Sequence, residues 1–297
     1  MRVAITGSTG LIGGAVAARL LAQGHQLVRI GRGADADVRA DLATIDRLPR
    51  GALDGCEVLV HAAGVTDEDF ANRARADAKA EKGARALMEA ASESGLTRCA
   101  YFSSAHVYGP LQGRIDESHA CDPRSDYARA HIATERLFGE WAAKGSMALI
   151  ARPCAVYGMP PALERFARWS LIPFDFPRQA LTGRIVLRSP GMQRRNFVPV
   201  EGLAALVERW LENASPGLTV ANAPGHDELA VFDFAALCAR IAHEELGREC
   251  AVERPAPTGE GAPPLEYRSR VEGDLPGPSL QDHARALMRA LSKKDRS

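Results

Sequence analysis

Short apolar segments alternate with longer segments of helical periodicity through the first half of the chain. The apolar segments are bounded by glycine or polar residues, and they predict strands at residues 3–6, 27–30, 58–60, 99–103 and 148–152. Apolar residues at helical spacing predict the intervening helices at residues 11–23, 70–94 and 126–143. Because strands alternate with helices, the pattern favours an α/β fold with a doubly wound parallel sheet.

The regular alternation ends after Tyr157. Residues 159–195 contain five prolines, and the pattern predicts one short helix there, near residues 163–169. Further along the chain we predict a strand at residues 197–200 and a loop rich in proline and glycine at residues 255–278. The remaining predicted helices cover residues 202–211, 232–246 and 280–291.

A glycine-rich turn joins the first predicted strand to the first predicted helix. Gly7, Gly10 and Gly13 have a GxxGxxG spacing. In this position the first glycine permits a tight turn, the second lets backbone N–H groups approach a pyrophosphate, and the third lets helix and strand pack closely. The helix N-terminus adds a favourable potential for anions. The strand–turn–helix context therefore predicts a dinucleotide site rather than a purely structural turn.

The fold class that follows is a Rossmann-type doubly wound parallel sheet with a small, irregular C-terminal cap. We predict a dinucleotide-binding domain at residues 1–157, to which residues 196–222 return. Residues 158–195 and 223–297 are expected to form the cap and to bind the substrate.

The end of the second predicted strand indicates which dinucleotide binds. An acidic residue there bonds the ribose 2′-hydroxyl of NAD, whereas a basic residue accepts the 2′-phosphate of NADP. The sequence from Ile30 to Gly33 contains no acid, and Arg32 can pair with a phosphate in bidentate fashion. This favours NADP(H) over NAD(H). The alternative is that Arg32 is an ordinary surface arginine and that NAD still binds. Asp41 lies where an acid can hold the adenine amino group.

Composition excludes some partners and locations. The 37 basic and 37 acidic residues balance, which argues against nucleic acid or an anionic membrane as a partner. The six cysteines contain no CxxC pair and are read as reduced thiols of a cytoplasmic protein. No apolar run approaches the roughly 18–20 residues of a membrane span. The first predicted strand leaves no room for a signal peptide before the fold.

Four further segments carry a resemblance to a known family. In chain order they read HAAG at 61–64, SSAHVYG at 103–109, RPCAVYG at 152–158 and RNFVPVEG at 195–202. Together with the glycine turn, they resemble the extended short-chain dehydrogenase/reductases, the NAD(P)-dependent epimerase/dehydratase family, over nearly the whole chain. The resemblance implies that the cofactor is held by Gly7, Thr9, Gly10, Leu11, Ile12, Gly13, Arg32, Asp41, Leu42, Ala62, Ala63, Gly64, Tyr127, His131 and Pro153.

The family's reaction uses a serine or threonine with a Tyr-x-x-x-Lys pair. By resemblance, Ser104 polarises the reacting carbonyl or hydroxyl and Tyr127 is the acid/base, but His131 occupies the lysine position. A lysine supplies a permanent cation, whereas an unperturbed histidine with a pKa of about 6.5 is mostly neutral at pH 7.5. Three interpretations stay open: His131 substitutes as a cation or a proton relay, catalysis is slow with binding intact, or the chemistry is lost.

Other positions narrow the reaction that the resemblance implies. Dehydratase members carry an acid pair where this chain has Ala105 and His106, which argues against a 4,6-dehydratase. His106 is either a substrate contact or a structural loop histidine. Arg195 matches an arginine that holds the diphosphate of a nucleotide sugar. In the irregular segment it is preceded by Arg184, Arg188 and Arg194. His131 and Glu135 lack a third ligand nearby, so no metal site is predicted.

These observations predict hydride transfer on a nucleotide sugar, by an epimerase or a ketoreductase. Two alternatives remain: an NADPH-dependent reductase of a small carbonyl compound, and a sensor or scaffold protein that keeps a dinucleotide site. The expected partner is a small-molecule substrate rather than nucleic acid or a membrane. The resemblance also implies a homodimer.

Overall fold

The structure is a computed structural model that describes residues 1–257 and 263–294. A seven-stranded sheet lies at its centre, built from β1 (Arg2–Thr6), β2 (Gln26–Gly31), β3 (Val38–Arg39), β4 (Val58–His61), β5 (Arg98–Phe102), β7 (Met147–Pro153) and β11 (Gly217–Ala223). The strand order is β11-β7-β5-β4-β1-β2-β3, and every neighbouring pair is parallel. The parallel sheet confirms the predicted fold class.

Helices cover both faces of this sheet, and others lie outside it. In chain order the helices are α1 (Leu11–Ala22), α2 (Arg73–Ala78), α3 (Ala84–Glu93), α4 (Asp126–Ala142), α5 (Ile172–Ala180), α6 (Val200–Asn213), α7 (Val231–Leu246) and α8 (Leu280–Lys294). On one face α3 and α4 bury apolar residues such as Leu87 and Phe138, and on the other α1 and α6 bury residues such as Leu20 and Leu203. Among the described residues, no helix is long and apolar enough to cross a membrane.

Three smaller sheets lie outside the large one. The first contains β8 (Ala155–Tyr157), β10 (Arg194–Pro199) and β12 (Asp227–Ala230), in the order β12-β10-β8. The other two pair β6 (Gly113–Ile115) with β14 (Leu265–Tyr267), and β9 (Arg184–Val186) with β13 (Ala251–Glu253). Helices α5, α7 and α8 share a separate apolar core with β9 and β10. The chain re-enters the large sheet with β11, whereas the division into two domains stays a prediction.

The irregular segments differ most from the sequence prediction. The predicted helix at residues 163–169 is wrong, because this stretch contains turns and irregular backbone. The helix lies further on, as α5, where Pro173 occupies the first turn and Pro177 the interior. A proline in the first turn is compatible with a helix because that N–H needs no intrahelical acceptor. The predicted loop at 255–278 contains β14, and residues 258–262 lie outside the described part.

The long predicted helix at residues 70–94 is not uniform. It begins as a 3-10 helix, Asp67–Asn72, continues as α2, widens into a π-helical turn at Lys79–Gly83, and ends as α3. A Cβ atom on Gly83 would collide with the backbone of Leu42, so the close approach of this helix to residue 42 requires glycine. Such π turns often occur at functional sites.

A buried ion pair joins α4 to β7 of the large sheet. Arg152 on β7 donates to both oxygens of Glu135, with its Nη2 atom 2.6 Å from Oε2 and its Nε atom 2.9 Å from Oε1. The hydroxyl of Ser103 donates to the same carboxylate at 2.5 Å. Arg152 also donates to the hydroxyl of Tyr108 at 2.9 Å. Each buried charge therefore has several partners, which offsets the cost of removing it from water.

Replacing Glu135 with alanine leaves the Arg152 guanidinium buried without its carboxylate. We expect the free energy of unfolding to fall by about 3–5 kcal/mol, the usual effect of breaking a buried pair. Urea denaturation at pH 7 measures this change. Glu93→Ala breaks the exposed pair with Arg47 and is the control, because exposed ion pairs contribute little. Equal effects of the two substitutions would contradict this assignment.

Candidate active site

The glycine turn between β1 and α1 is as tight as the spacing predicts. Gly7 has a φ of +71°, and a Cβ atom on it would lie 2.8 Å from the carbonyl carbon of Ala62. A Cβ atom on Gly13 would collide with the carbonyl oxygen of Gly7. Gly10 occupies the N-cap of α1 and has no side chain to cap it. The first turn of α1, including Leu11 and Ile12, is therefore a backbone cradle suited to an anion.

A second contact of this turn involves the segment after β8. A Cβ atom on Gly14 would collide with the ring of Pro161. The proline ring therefore packs directly on the first turn of α1, and only a glycine leaves room for it.

A cleft of about 200 Å³ opens over this turn. It is lined by Gly7, Ser8, Thr9, Arg29, Ile30, Gly31, Arg32, Gly33, Asp35, Ala36, Ala40, Asp41, Leu42, Ala63, Asp69, Arg75 and Lys79. Six of the predicted cofactor residues are in this lining, namely Gly7, Thr9, Arg32, Asp41, Leu42 and Ala63. The structure places Pro153 away from this lining, at the carboxyl end of β7. The cleft fits the adenosine and pyrophosphate half of a dinucleotide, because glycines form its floor and cations line its sides.

The side of the cleft next to β2 is open and carries arginines. A Cβ atom on Gly31 would meet no atom within 4 Å. The exposed Arg32 lies close enough to Asp41 to favour its ionised form. Burial opposes ionisation of Asp41, but the bond from Arg75 at 2.6 Å, the bond from the N–H of Ala43 at 3.1 Å and the charges of Arg75 and Arg32 together outweigh it and lower the pKa of that carboxyl. Asp41 is thus a carboxylate held by an arginine that the sequence reasoning did not single out.

Lys79 and Asp69 are further lining residues that the sequence reasoning missed. The ammonium of Lys79 lies 2.9 Å from Asp69, whose carboxylate also accepts from the backbone N–H of Thr66 at 2.7 Å. This capping box fixes Asp69 at the start of a 3-10 helix. Lys79 is one of five lysines in an arginine-rich chain, which is the signal that could have identified it. The Lys79 ammonium, held by this ion pair, lies in the same cleft lining as Ala63 and the glycine turn.

A buried threonine and histidine hold the HAAG segment against the turn. The hydroxyl of Thr6 lies 2.7 Å from Nδ1 of His61 and accepts from the N–H of Ala63 at 3.1 Å. Burial lowers the pKa of His61 to about 3, so this imidazole is neutral. The contact fixes residues 61–63 beside Gly7, which explains why a cleft residue follows β4 directly.

Four predicted residues come together at the carboxyl ends of β4 and β5. We call Ser104, His106, Tyr127 and His131 the Tyr127 cluster. The rings of Tyr127 and His131 meet edge to face with centroids 4.5 Å apart, and those of Tyr127 and His106 at 5.9 Å. Nδ1 of His106 lies 3.3 Å from the hydroxyl oxygen of Ser104. The structure thus brings together the three predicted catalytic residues and the predicted substrate contact His106.

Local sequence explains how these residues reach one place. Ser104 follows β5 and caps a 3-10 helix, Ala105–Tyr108, by accepting from the N–H of His106 at 3.3 Å. Ser125 caps α4 by accepting from the N–H of Ala128 at 3.1 Å. Tyr127 therefore lies in the first turn of α4 and His131 one turn later.

His131 is not a cation in this environment. Burial, assisted by the nearby His106, His61 and Lys79, lowers its pKa to about 3. Its Nδ1 atom lies 2.6 Å from the hydroxyl of Tyr101 on β5. The neutral imidazole therefore cannot replace the charge of a lysine. A proton relay through Tyr101 also finds no route outward, because that hydroxyl is itself fully buried.

The sequence reasoning missed Tyr101 as well. Side chains two residues apart on a strand point to the same face, so Tyr101 and Ser103 share the face on which α4 packs. Both contact that helix, Tyr101 through His131 and Ser103 through Glu135. The period of the strand is the signal that could have revealed this contact.

Two of the four predicted arginines are held by a carboxylate. Arg184 pairs with Glu253 at 2.6 Å, and Arg194 contacts Glu228 at 3.4 Å. Arg195 donates to the carbonyl of Arg194 at 2.9 Å, and within the described ranges it forms no ion pair. The exposed Arg188, in the segment between β9 and β10, forms no ion pair with the described residues either. Arg188 and Arg195 are therefore the two of these arginines whose guanidinium groups are not occupied by a carboxylate of the described chain.

The two residues weighed for a metal have other partners. Glu135 is occupied by Arg152 and Ser103, and Nδ1 of His131 lies against the hydroxyl of Tyr101. Over residues 1–257 and 263–294, no group of three or more histidine, cysteine or acidic side chains is placed to hold a metal ion.

Two curated proteins resemble parts of this chain. An uncharacterised protein of Mycobacterium tuberculosis is 34% identical over 117 residues, which are 36% of this chain and 12% of that protein. Sterol demethylase protein B of Methylococcus capsulatus is 28% identical over 217 residues, 67% of this chain and 60% of that protein. The chain thus spans only 12% of the length of the mycobacterial relative.

Solved structures and a family model extend the likeness to most of the chain. MoeE5 in complex with UDP-glucuronic acid and NAD has a TM-score of 0.81 and 20% identity, covering 99% of this chain and 100% of that one. This likeness shows the shared fold. The model of the NAD dependent epimerase/dehydratase family matches residues 3–222, which include the glycine turn, the Tyr127 cluster and Arg195. The chain therefore belongs to the NAD dependent epimerase/dehydratase family.

Proposed function

We propose that the protein is an NAD(P)-dependent oxidoreductase that moves a hydride at a carbon of a nucleotide sugar, as an epimerase or a ketoreductase. One observation carries the proposal. Ala63 lines the dinucleotide cleft, and the next residue, Gly64, lies against His131, with a Cβ atom on Gly64 placed 3.5 Å from the imidazole Cε1. The cleft and the Tyr127 cluster are therefore continuous, as hydride transfer beside an acid/base requires.

Each residue of the cluster then has a task. The nicotinamide ring, when bound, accepts or donates a hydride at the substrate carbon. The hydroxyl of Tyr127 exchanges the proton of the substrate hydroxyl, and the hydroxyl of Ser104 donates a hydrogen bond to the same oxygen. The backbone at Gly7, Gly10 and Gly13 holds the pyrophosphate. A cytoplasmic location and a homodimer stay predictions.

The open side of the cleft supports NADP(H) as the preferred cofactor. Gly31 leaves free space at the end of β2, and the guanidinium of Arg32 stands beside it without an ion pair in the described part of the chain. The acid on this side, Asp41, is already bonded to Arg75. A 2′-phosphate therefore meets space and positive charge rather than a carboxylate.

Arg32→Ala tests this preference. We expect the dissociation constant of NADPH to rise about tenfold or more, because a charge-assisted pair with the phosphate is lost. The dissociation constant of NADH is expected to change little. Quenching of protein fluorescence measures both. Arg39→Ala, at an exposed position outside the cleft lining, is the control. Equal affinities of the native protein for the two cofactors would refute the preference.

A second candidate is an NADPH-dependent reductase of a small carbonyl compound without a nucleotide. The likeness to a protein named sterol demethylase protein B favours it. The ion pairs of Arg184 and Arg194 also favour it, because they leave only two of the four arginines, Arg188 and Arg195, for a diphosphate. In this case Arg195 can be replaced without loss of substrate affinity.

Thermal unfolding with added ligands distinguishes these functions. A ligand that binds only the folded state adds about 2.7 kcal/mol at a hundredfold excess over its dissociation constant. We expect NADPH together with UDP-glucose or UDP-glucuronic acid to raise Tm beyond NADPH alone. Arg195→Ala should remove the second increment, since it removes the pair with the diphosphate. Arg184→Ala is the matched control, because Glu253 already occupies that guanidinium.

Other outcomes favour the alternatives. Stabilisation by cofactor but by no nucleotide sugar supports the small-carbonyl reductase. Cofactor binding without turnover of any substrate supports a sensor or scaffold, for which a lysine at position 131 restores no activity. No stabilisation by either dinucleotide contradicts all three functions.

The neutral His131 has a consequence for pH dependence. Because His131 is neutral, no cation at position 131 favours the phenolate of Tyr127, whereas the lysine of the family's pattern would supply one. We therefore expect the rate of substrate oxidation to rise with pH. His131→Lys adds a cation, which favours the phenolate and moves this rise about 1–3 pH units lower. The pH–rate profile measures it, with the exposed Glu140→Lys as control. An unchanged profile would show that residue 131 does not act on Tyr127.

A further inference from the structure

A buried tyrosine hydroxyl contacts the histidine in the lysine position. The hydroxyl of Tyr101 lies 2.6 Å from Nδ1 of His131, and both residues are at most 2% exposed. The Tyr101 ring stacks on His61 with centroids 5.3 Å apart and packs on Phe138 at 5.2 Å. The position of the hydroxyl is therefore fixed by packing on β4, β5 and α4.

Two directions are open to this hydrogen bond. Burial raises the pKa of Tyr101 well above its ordinary value, so the phenol keeps its proton and can donate it. If Tyr101 donates to Nδ1, the neutral imidazole carries its one proton on Nε2, and if Nδ1–H donates to Tyr101, Nε2 carries none. The position of the imidazole proton is therefore what decides between the two directions.

The opposite edge of the imidazole lacks a partner. Nε2 of His131 is buried and, among the described residues, has no hydrogen-bond partner. This edge belongs to the ring that Tyr127 contacts edge to face at 4.5 Å, and the adjacent Cε1 atom faces Gly64. A buried N–H group without an acceptor is rare in native proteins and indicates a missing ligand atom.

We propose that Tyr101 is a positioning residue, whose hydroxyl holds His131 as the tautomer that offers Nε2–H to a ribose hydroxyl of the nicotinamide cofactor. This inference rests on the proposed function, because the ribose belongs to that cofactor. The imidazole then binds the ribose as a neutral hydrogen-bond donor, as the lysine of the family's pattern does with its ammonium. Unlike that lysine, it supplies no positive charge next to Tyr127. The tyrosine–histidine pair thus separates cofactor binding from activation of the acid/base.

Side-chain nitrogen NMR of the cofactor-free protein tests the first part. We expect the His131 signals of the native protein to show a protonated Nε2 and an unprotonated Nδ1. His131→Lys removes these signals and so identifies them. Tyr101→Phe removes the donor, and the signals should shift toward the Nδ1-protonated form. Tyr157→Phe is the control, because it removes a buried hydroxyl that bonds the Pro278 carbonyl instead.

Titration with NADPH tests the second part. Tyr101→Phe should weaken binding about tenfold, the effect of one lost hydrogen bond, whereas Tyr157→Phe should not. In a His131→Lys background, Tyr101→Phe should weaken binding no further, because no imidazole remains to orient.

The two proposals fail in different ways. A protonated Nδ1 in the native protein overturns the inference, and this measurement needs no variant to fold. The inference is also overturned if Tyr101→Phe changes neither the His131 tautomer nor the affinity for NADPH. If no nicotinamide dinucleotide binds at all, the proposed function fails and the ribose contact with it, while the NMR result still decides whether Tyr101 sets the tautomer.

Discussion

The ion pair between Glu135 and Arg152 determines where the other groups of the site can lie. It joins α4, which carries Tyr127 and His131, to β7, which lies between β5 and β11 in the sheet. The same carboxylate accepts from Ser103, the residue directly before Ser104. Two buried charges tolerate little displacement, since each lost hydrogen bond exposes the full cost of desolvation. The distance between Ser104 and Tyr127 is therefore determined by the buried Glu135–Arg152 pair.

The two ends of the site differ in their electrostatics. The dinucleotide end is open and carries Arg32, Arg75 and Lys79 beside backbone N–H groups. The other end contains uncharged histidines, because burial removes the proton from both His61 and His131. The groups suited to an anion and the groups proposed to move a proton thus lie in separate environments. The neutral His131 lies outside the lining of the dinucleotide cleft, so a change of charge at position 131 leaves the cations of that cleft in place.

The sequence was sufficient for the features that repeat with a fixed period or a fixed motif. The parallel sheet and the glycine turn follow from local patterns, whereas the expectation that Ser104 and Tyr127 share a site came from the family resemblance. It was insufficient for α5, because its two prolines resemble a loop until packing against α7 and α8 decides otherwise. Tyr101, Lys79 and Arg75 were missed for a related reason. Each acts through a partner more than ten residues away or on another element, and no local pattern marks such a contact.

The packing of Pro161 on Gly14 links two segments that lie 147 positions apart in the chain, from 14 to 161. Position 14 cannot gain a side chain while the ring of Pro161 stays in place. A larger residue at position 14 requires a smaller or displaced one at position 161. Among descendants of a common ancestor, a side chain at position 14 should therefore appear only together with a change at position 161. The first turn of α1 is thus constrained in evolution by a proline, whatever its backbone binds.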